Sequence, residues 1–108
     1  MFNFNRISVE QAQEIIEQGN TNLIDIRDEA SFDRLHIRGA QLIDQQNVRD
    51  FVANADKSSP LIVYCYHGNS SQSASQFFSE QGFTEVYSMD GGFDVWHATF
   101  PDTVESSA

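Results

Sequence analysis

Cysteine occurs once in these 108 residues and proline twice, and lysine and arginine together number six against sixteen acidic residues. Each scarcity excludes something. A single cysteine forms no intramolecular disulfide, so the staples of small secreted domains are missing and the thiol is expected to stay reduced. The opening stretch Met1-Phe2-Asn3-Phe4-Asn5-Arg6 carries no apolar signal segment, and no apolar run approaches the ~20 residues that cross a bilayer. A cytoplasmic setting is therefore the expectation. The formal charge of −10 repels phosphate backbones and anionic lipid, and the six cations, Arg6, Arg27, Arg34, Arg38, Arg49 and Lys57, are scattered. Neither nucleic acid nor a membrane surface is an expected partner.

What is present suits a packed core: 40% of residues are apolar and 12% aromatic. At about 100 to 150 residues per domain, the chain reads as one domain over 1–108, with an ordered core near 6–101 and a polar tail, 102–108, expected to fray. There is no internal repeat and no low-complexity linker.

The periodicity alternates between strand and helix. Arg6-Ile7 is a short extended lead-in, and Ser8 with Gln11 predicts a capping box for a helix whose inner face is Val9, Ala12, Ile15 and Ile16. Gly19 stops it. Asn22 to Arg27 reads as a strand, followed by a short helical segment capped by Asp28 or Ser31 and running through Phe32 and Leu35. Gly39-Ala40 then turns the chain into a strand over Gln41 to Asp44. Val48, Phe51 and Val52 mark a helix. Leu61-Ile62-Val63-Tyr64 is apolar on both faces, as in the central strand of a parallel sheet covered on both sides. A helix from Gln72 to Gln81, a strand from Glu85 to Met89, the turn Asp90-Gly91-Gly92 and a last helix from Phe93 to Phe100 complete the pattern. Such alternation predicts a three-layer α/β/α fold around a mostly parallel sheet of about five strands.

The chemistry gathers where the central strand ends. Ligands of open α/β sheets collect beyond the carboxyl ends of the strands, and Cys65 stands at that place, followed by Tyr66, His67, Gly68, Asn69, Ser70 and Ser71 before the next helix. Gly68 permits positive φ, so successive N–H groups can turn inward as an anion nest, and the helix N-terminus adds partial positive charge. Both favour a thiolate over a thiol. A phosphatase or arsenate reductase of the Cys-x5-Arg type needs a guanidinium six positions after the cysteine. Ser71 stands there, and no arginine follows Arg49. A cradle of N–H and hydroxyl groups better suits a persulfide, whose outer sulfur carries one diffuse negative charge.

The run Val63-Tyr64-Cys65-Tyr66-His67-Gly68-Asn69-Ser70-Ser71 resembles the loop of the single-domain rhodaneses, specifically thiosulfate sulfurtransferases of the GlpE type. Further landmarks stand in the family's order. They are Leu23-Ile24-Asp25-Ile26-Arg27, Phe32 with His36-Ile37-x-Gly39-Ala40, and Tyr87-x-Met89-x-Gly91-Gly92-x3-Trp96. Leu35 departs from the pattern, since the family usually has glycine before the histidine. The resemblance spans roughly residues 6 to 101 and implies the rhodanese fold. It also implies sulfur transfer from thiosulfate, through a persulfide on Cys65, to cyanide or to a thiol or dithiol such as a thioredoxin-like protein. No metal or organic cofactor is implied. A mercaptopyruvate-type sulfurtransferase is one alternative, and Tyr66 with the lack of loop arginines leans against it. A non-catalytic rhodanese-fold sulfur carrier or binding module is another, and such modules commonly lose the cysteine.

The same residues have plainer readings. Ser70 or Ser71 can serve as a helix cap, and His67 as a solvated loop side chain. Asp25 and Arg27 end a strand on the site's side and look functional, but the resemblance implies a structural ion pair that orders loops near the site. Trp96, Phe93 and Phe100 read as core, and His36 and His97 lack partners at metal-ligand spacing.

Overall fold

The segment Leu61–Tyr64 organises the molecule, because none of its four side chains reaches solvent and each therefore needs cover. In the computed structural model, which describes residues 3–107, this strand is β5 in a five-stranded, wholly parallel sheet. Its companions are β1 (Asn5–Ile7), β2 (Asn22–Asp25), β4 (Gln41–Leu42) and β6 (Val86–Met89), in the spatial order β1-β6-β5-β2-β4. Met1, Phe2 and Ala108, which belong to the N-terminal stretch and the tail discussed above, lie outside the described residues.

The side chains of β5 alternate between two cores, as pleating requires. Ile62 and Tyr64 join Leu23, Met89, Phe93 and Trp96 on the face covered by α1 (Val9–Glu17) and α5 (Gly92–Thr99). Leu61 and Val63 join Ile24, Phe78, Phe83 and Val86 on the face covered by α3 (Val48–Asn54) and α4 (Ser70–Glu80). The α/β/α layering expected from the sequence is thus present. Helix α1 carries the expected capping box: Ser8 Oγ accepts from the Gln11 N–H at 3.1 Å, and the Ser8 N–H returns to Gln11 Oε1 at 2.9 Å. Of the two candidate caps for α2 (Glu29–Arg34), Asp28 takes the role and accepts from the Ser31 N–H at 3.0 Å.

The register matters for the site. Asp25 pairs with Tyr64 across β2 and β5, so the two connections that follow leave the sheet side by side.

The tail corrects an expectation. Pro101–Thr103 form a 3-10 turn, and β7 (Val104–Glu105) pairs antiparallel with β3 (His36–Ile37) in a small second sheet. Thr103 Oγ1 accepts from the Trp96 indole at 2.7 Å, and the Ser107 N–H donates to the Asp33 carbonyl at 2.9 Å. Polar composition does not free a segment whose main chain has a partner edge to bond and whose Val104 packs on the core.

Candidate active site

From Cys65 the chain makes a tight loop whose main-chain donors converge on the sulfur. Sγ accepts from the Gly68 N–H at 3.2 Å and from the Ser71 N–H at 3.3 Å, and the cysteine is nearly inaccessible to solvent. Gly68 adopts φ +95°, and a Cβ there would stand 2.9 Å from the Gly91 nitrogen. Only glycine lets the loop both reverse and lie flat on its neighbour.

Helix α4 starts at Ser70, two residues before the expected start, which puts Ser71 inside its first turn. Neither serine is the cap. Asn69 occupies that position and makes no side-chain capping bond. The Ser71 N–H, one of the donors a helix leaves unpaired at its start, is taken by the cysteine sulfur instead. Sulfur and helix terminus therefore satisfy each other, and the terminus carries the partial positive charge that an anion requires.

The Ser71 hydroxyl is fully buried and lies 2.8 Å from Ser88 Oγ on β6, which is buried as completely. Ser88 was not among the sequence candidates. Its only signal is a hydroxyl at an inward position of a strand that otherwise turns Val86 to the core. Burial pushes the Cys65 thiol pKa up, but the hydroxyl and N–H of Ser71 and the N–H groups of Gly68 and His67 together outweigh it. The net effect lowers the pKa below that of an ordinary thiol.

A second helix terminus fixes the loop from behind. The Phe93 N–H donates to the Cys65 carbonyl at 2.8 Å and the Asp94 N–H to the Tyr66 carbonyl at 3.2 Å. With these carbonyls held by α5, the N–H groups of the same loop are left to face the sulfur. Gly92 makes the approach possible, since a Cβ there would meet the Tyr66 and Cys65 carbonyl oxygens at 2.5 and 2.6 Å. The segment read as a turn, Asp90-Gly91-Gly92, is thus also the clamp of the site.

Tyr66 and His67 form the exposed rim. The Tyr66 hydroxyl bonds the Asp28 carboxylate and lies 2.9 Å from Ser31 Oγ, which ties the loop to the start of α2. Hydrogen bonds from the Ser31 hydroxyl and N–H hold the Asp28 carboxyl below its usual pKa. His67 Nδ1 stands 3.0 Å from Asp94 Oδ2. Asn69 and Ser70 are exposed, and among the described residues neither main-chain N–H has an acceptor.

Beside the loop, Asp25 and Arg27 form the expected buried pair. Arg27 Nη2 reaches Asp25 Oδ2 at 2.7 Å and the Leu35 carbonyl at 2.7 Å, and Nε bonds the carboxylate at 3.0 and 3.1 Å. The guanidinium lies 4.1 Å from the Phe93 ring centroid and 5.8 Å from that of Tyr66. An arginine therefore does stand next to the cysteine loop, but its charge is matched by Asp25. The buried Tyr64 hydroxyl accepts from the Ile37 N–H at 3.2 Å, and burial together with the Asp25 charge raises its pKa far above that of a free phenol.

A parallel α/β sheet with a nucleophilic cysteine in a loop of main-chain donors defines an enzyme class that holds anionic sulfur or oxyanions at a strand's carboxyl end. Residues 8–99 match the family described as Rhodanese-like domain. The chain belongs to that family. It is 52% identical over 108 residues to the thiosulfate sulfurtransferase GlpE of Ectopseudomonas mendocina (strain ymp), covering 99% of this chain and 98% of that one. It is 50% identical over 103 residues to the thiosulfate sulfurtransferase GlpE of Pseudomonas aeruginosa (strain LESB58), covering 95% and 93%. Among solved structures, a rhodanese-like domain protein from Staphylococcus aureus superposes with a TM-score of 0.80 at 16% identity, covering 97% of this chain and all of that one. The rhodanese-like domain of the Anabaena protein Alr3790 gives 0.81 at 21% identity, covering 96% and 80%. These two likenesses establish the fold.

Proposed function

We propose that this chain is a thiosulfate sulfurtransferase that works by double displacement through Cys65. One observation carries the reading: the only thiol of a chain half-identical to GlpE enzymes receives two main-chain N–H groups at the end of the central strand. The Cys65 thiolate attacks the outer sulfur of thiosulfate, the sulfur–sulfur bond of the donor breaks, and sulfite leaves with the bonding pair. The enzyme then holds Cys–S–S⁻, for which the unbonded N–H groups of Asn69 and Ser70 are available as donors. A second nucleophile, cyanide or a thiol or dithiol, attacks the outer sulfur and expels the Cys65 thiolate. The split into two displacements predicts ping-pong kinetics. Every electron and proton is accounted for by donor, acceptor and cysteine, so the reaction calls for no metal or organic cofactor.

With no second thiol in the chain, the persulfide must be resolved by a partner, and a thioredoxin-like dithiol suits a reducing cytoplasm. Thiosulfate is favoured over mercaptopyruvate because the loop offers no cation for a carboxylate. Arg27, 5.8 Å from the Tyr66 ring centroid, is matched by Asp25, and Arg34, which bonds Ser31 Oγ at 3.3 Å, faces Asp28. Incubation with thiosulfate should add one sulfur, ~32 Da, to the intact protein, and Cys65→Ser should abolish both this adduct and turnover. Ordinary turnover by the serine variant would overturn the assignment, and faster loading from mercaptopyruvate would reassign the donor.

A further inference from the structure

The rim of the cradle carries one side-chain pair that the fold does not need. His67 Nδ1 and Asp94 Oδ2 are 3.0 Å apart with side chains 67% and 61% exposed, so their contact adds little stability. Their placement is nevertheless fixed at the main chain. His67 lies between Cys65 and Gly68, and its own N–H is one of the groups acting on the sulfur. The Asp94 N–H holds the Tyr66 carbonyl at 3.2 Å, which ties the carboxylate to the same loop. A carboxylate on Nδ1 keeps the proton on that nitrogen, so Nε2 carries the free lone pair. Among the described residues no group bonds Nε2.

The chemistry of the second displacement gives that lone pair a task. A thiol acceptor with an ordinary pKa of ~8.5 is mostly protonated near neutrality, and only its thiolate attacks a sulfur–sulfur bond. The other titratable groups of the rim do not serve. The Tyr66 hydroxyl is bonded to Asp28 and Ser31, and Asp28 has a lowered pKa. Asp90 is paired with Arg6, and Arg27 with Asp25. His97 lies farther along α5, its ring against Phe93.

We propose that His67 is the general base for thiol acceptors, with Asp94 as its positioning residue. This inference rests on the sulfurtransferase reading and names what its second half requires. The acceptor S–H gives its proton to His67 Nε2. The new thiolate attacks the outer sulfur, the Cys65 Sγ–S bond breaks, and Sγ leaves as a thiolate held by the Gly68 and Ser71 N–H groups. The imidazolium, stabilised by Asp94, then passes its proton to solvent or to the product persulfide. Sulfite, the leaving group of the first step, attacks from the unprotonated sulfur of its dianion, a major species near neutrality, and needs no such base.

The test loads the whole protein with thiosulfate, removes excess donor, and follows loss of the added sulfur by mass after mixing with dithiothreitol or with sulfite. In the unaltered protein the dithiothreitol rate at neutral pH should exceed what the acceptor's own thiolate fraction supplies. His67→Gln should slow the dithiothreitol reaction by roughly 10- to 100-fold at pH 7 and leave a profile that climbs only in the thiol range, near pH 8.5. Its sulfite rate should change much less. Asp94→Asn should give a smaller loss, confined to dithiothreitol, that Asp94→Glu restores. Equal losses with both acceptors, or an unaltered pH profile in His67→Gln, would overturn the assignment. Absence of the added sulfur in the unaltered protein before any acceptor is present would instead overturn the sulfurtransferase reading, and this inference with it.

Discussion

Asp25 and Tyr64 are partners at the ends of neighbouring strands, and just beyond them the protein buries charge in two opposite ways. On β2, the Asp25 carboxylate is met by the full positive charge of Arg27, with both side chains almost sealed from solvent. Beyond β5, the Cys65 sulfur is met only by N–H groups and a serine hydroxyl. The first arrangement cancels a charge and fixes it. The second supports an anion without forming a pair with it, so the sulfur keeps a lone pair free for attack. A cation placed against the thiolate would lower its pKa further, and nucleophilicity falls with pKa. Neutral donors strike a middle value, and they can pass from a thiolate to a persulfide without a charged side chain having to move.

Removing one member of each arrangement should separate these two designs, with the larger effect on the ion pair. Asp25→Asn leaves the Arg27 charge buried without its counterpart and should destabilise the fold by about 3–5 kcal/mol, a large part of the 5–15 kcal/mol typical of a domain. Urea denaturation reads this directly. The double variant Asp25→Leu with Arg27→Met should recover much of the loss, because an apolar pair needs no compensation. If Asp25→Asn unfolds at the same urea concentration as the unaltered protein, the pair is not the buried, mutually dependent unit described here.

The cradle should respond chiefly in rate, with a smaller stability loss of about 1–3 kcal/mol from the buried Ser88 hydroxyl left unpaired. Ser71→Ala removes the hydroxyl but keeps the N–H, so the thiol pKa should rise toward its ordinary value. One hydrogen bond to a charged group is worth about 1.5–3 kcal/mol, so persulfide formation at pH 7 should slow by roughly tenfold or more. The sign is set by ionisation. Stabilising the anion lowers the pKa, so the unaltered protein reaches full thiolate at a lower pH, and the variant catches up once the pH exceeds both values. A deficit that persists at pH 10 would mean that Ser71 acts on geometry instead.

The same contrast explains what could be read from the chain alone. Cys65, Gly68 and the helix behind them are contiguous, so their chemistry is legible in one short run. Asp25 and Arg27 end a strand on the site's side, which marks them as candidates, while their pairing is what the family resemblance implies. The clamp is not legible in this way: Gly92 matters because of carbonyls 26 and 27 positions earlier, and sequence spacing shows only a turn. Ser88 is similarly remote from Ser71. Ser70 and Ser71 suggest a conventional cap, because nothing local says that a sulfur has taken the cap's place. The β3–β7 pair is two residues long in each strand, too short to carry a period, and it forms because the last helix returns the tail to that edge.

The smallest effect concerns the approach of the donor. Thiosulfate carries two negative charges toward a protein of net charge −10. Arg27 beside the loop is cancelled by Asp25, Arg34 is set against Asp28, and Asp94 also stands at the rim. Attraction is therefore confined to N–H groups within hydrogen-bond range, and repulsion acts from farther out. Raising ionic strength from 0.01 to 0.1 M shortens the screening length from about 30 to about 10 Å, so it weakens the distant repulsion and leaves the close contacts nearly intact. KM for thiosulfate should then fall by roughly two- to fivefold with kcat unchanged, in a salt whose anion is too bulky to enter the loop. A KM that rises with salt would mean that the rim presents a positive field, and that Arg27 is less completely matched by Asp25 than the cysteine is by its neutral donors.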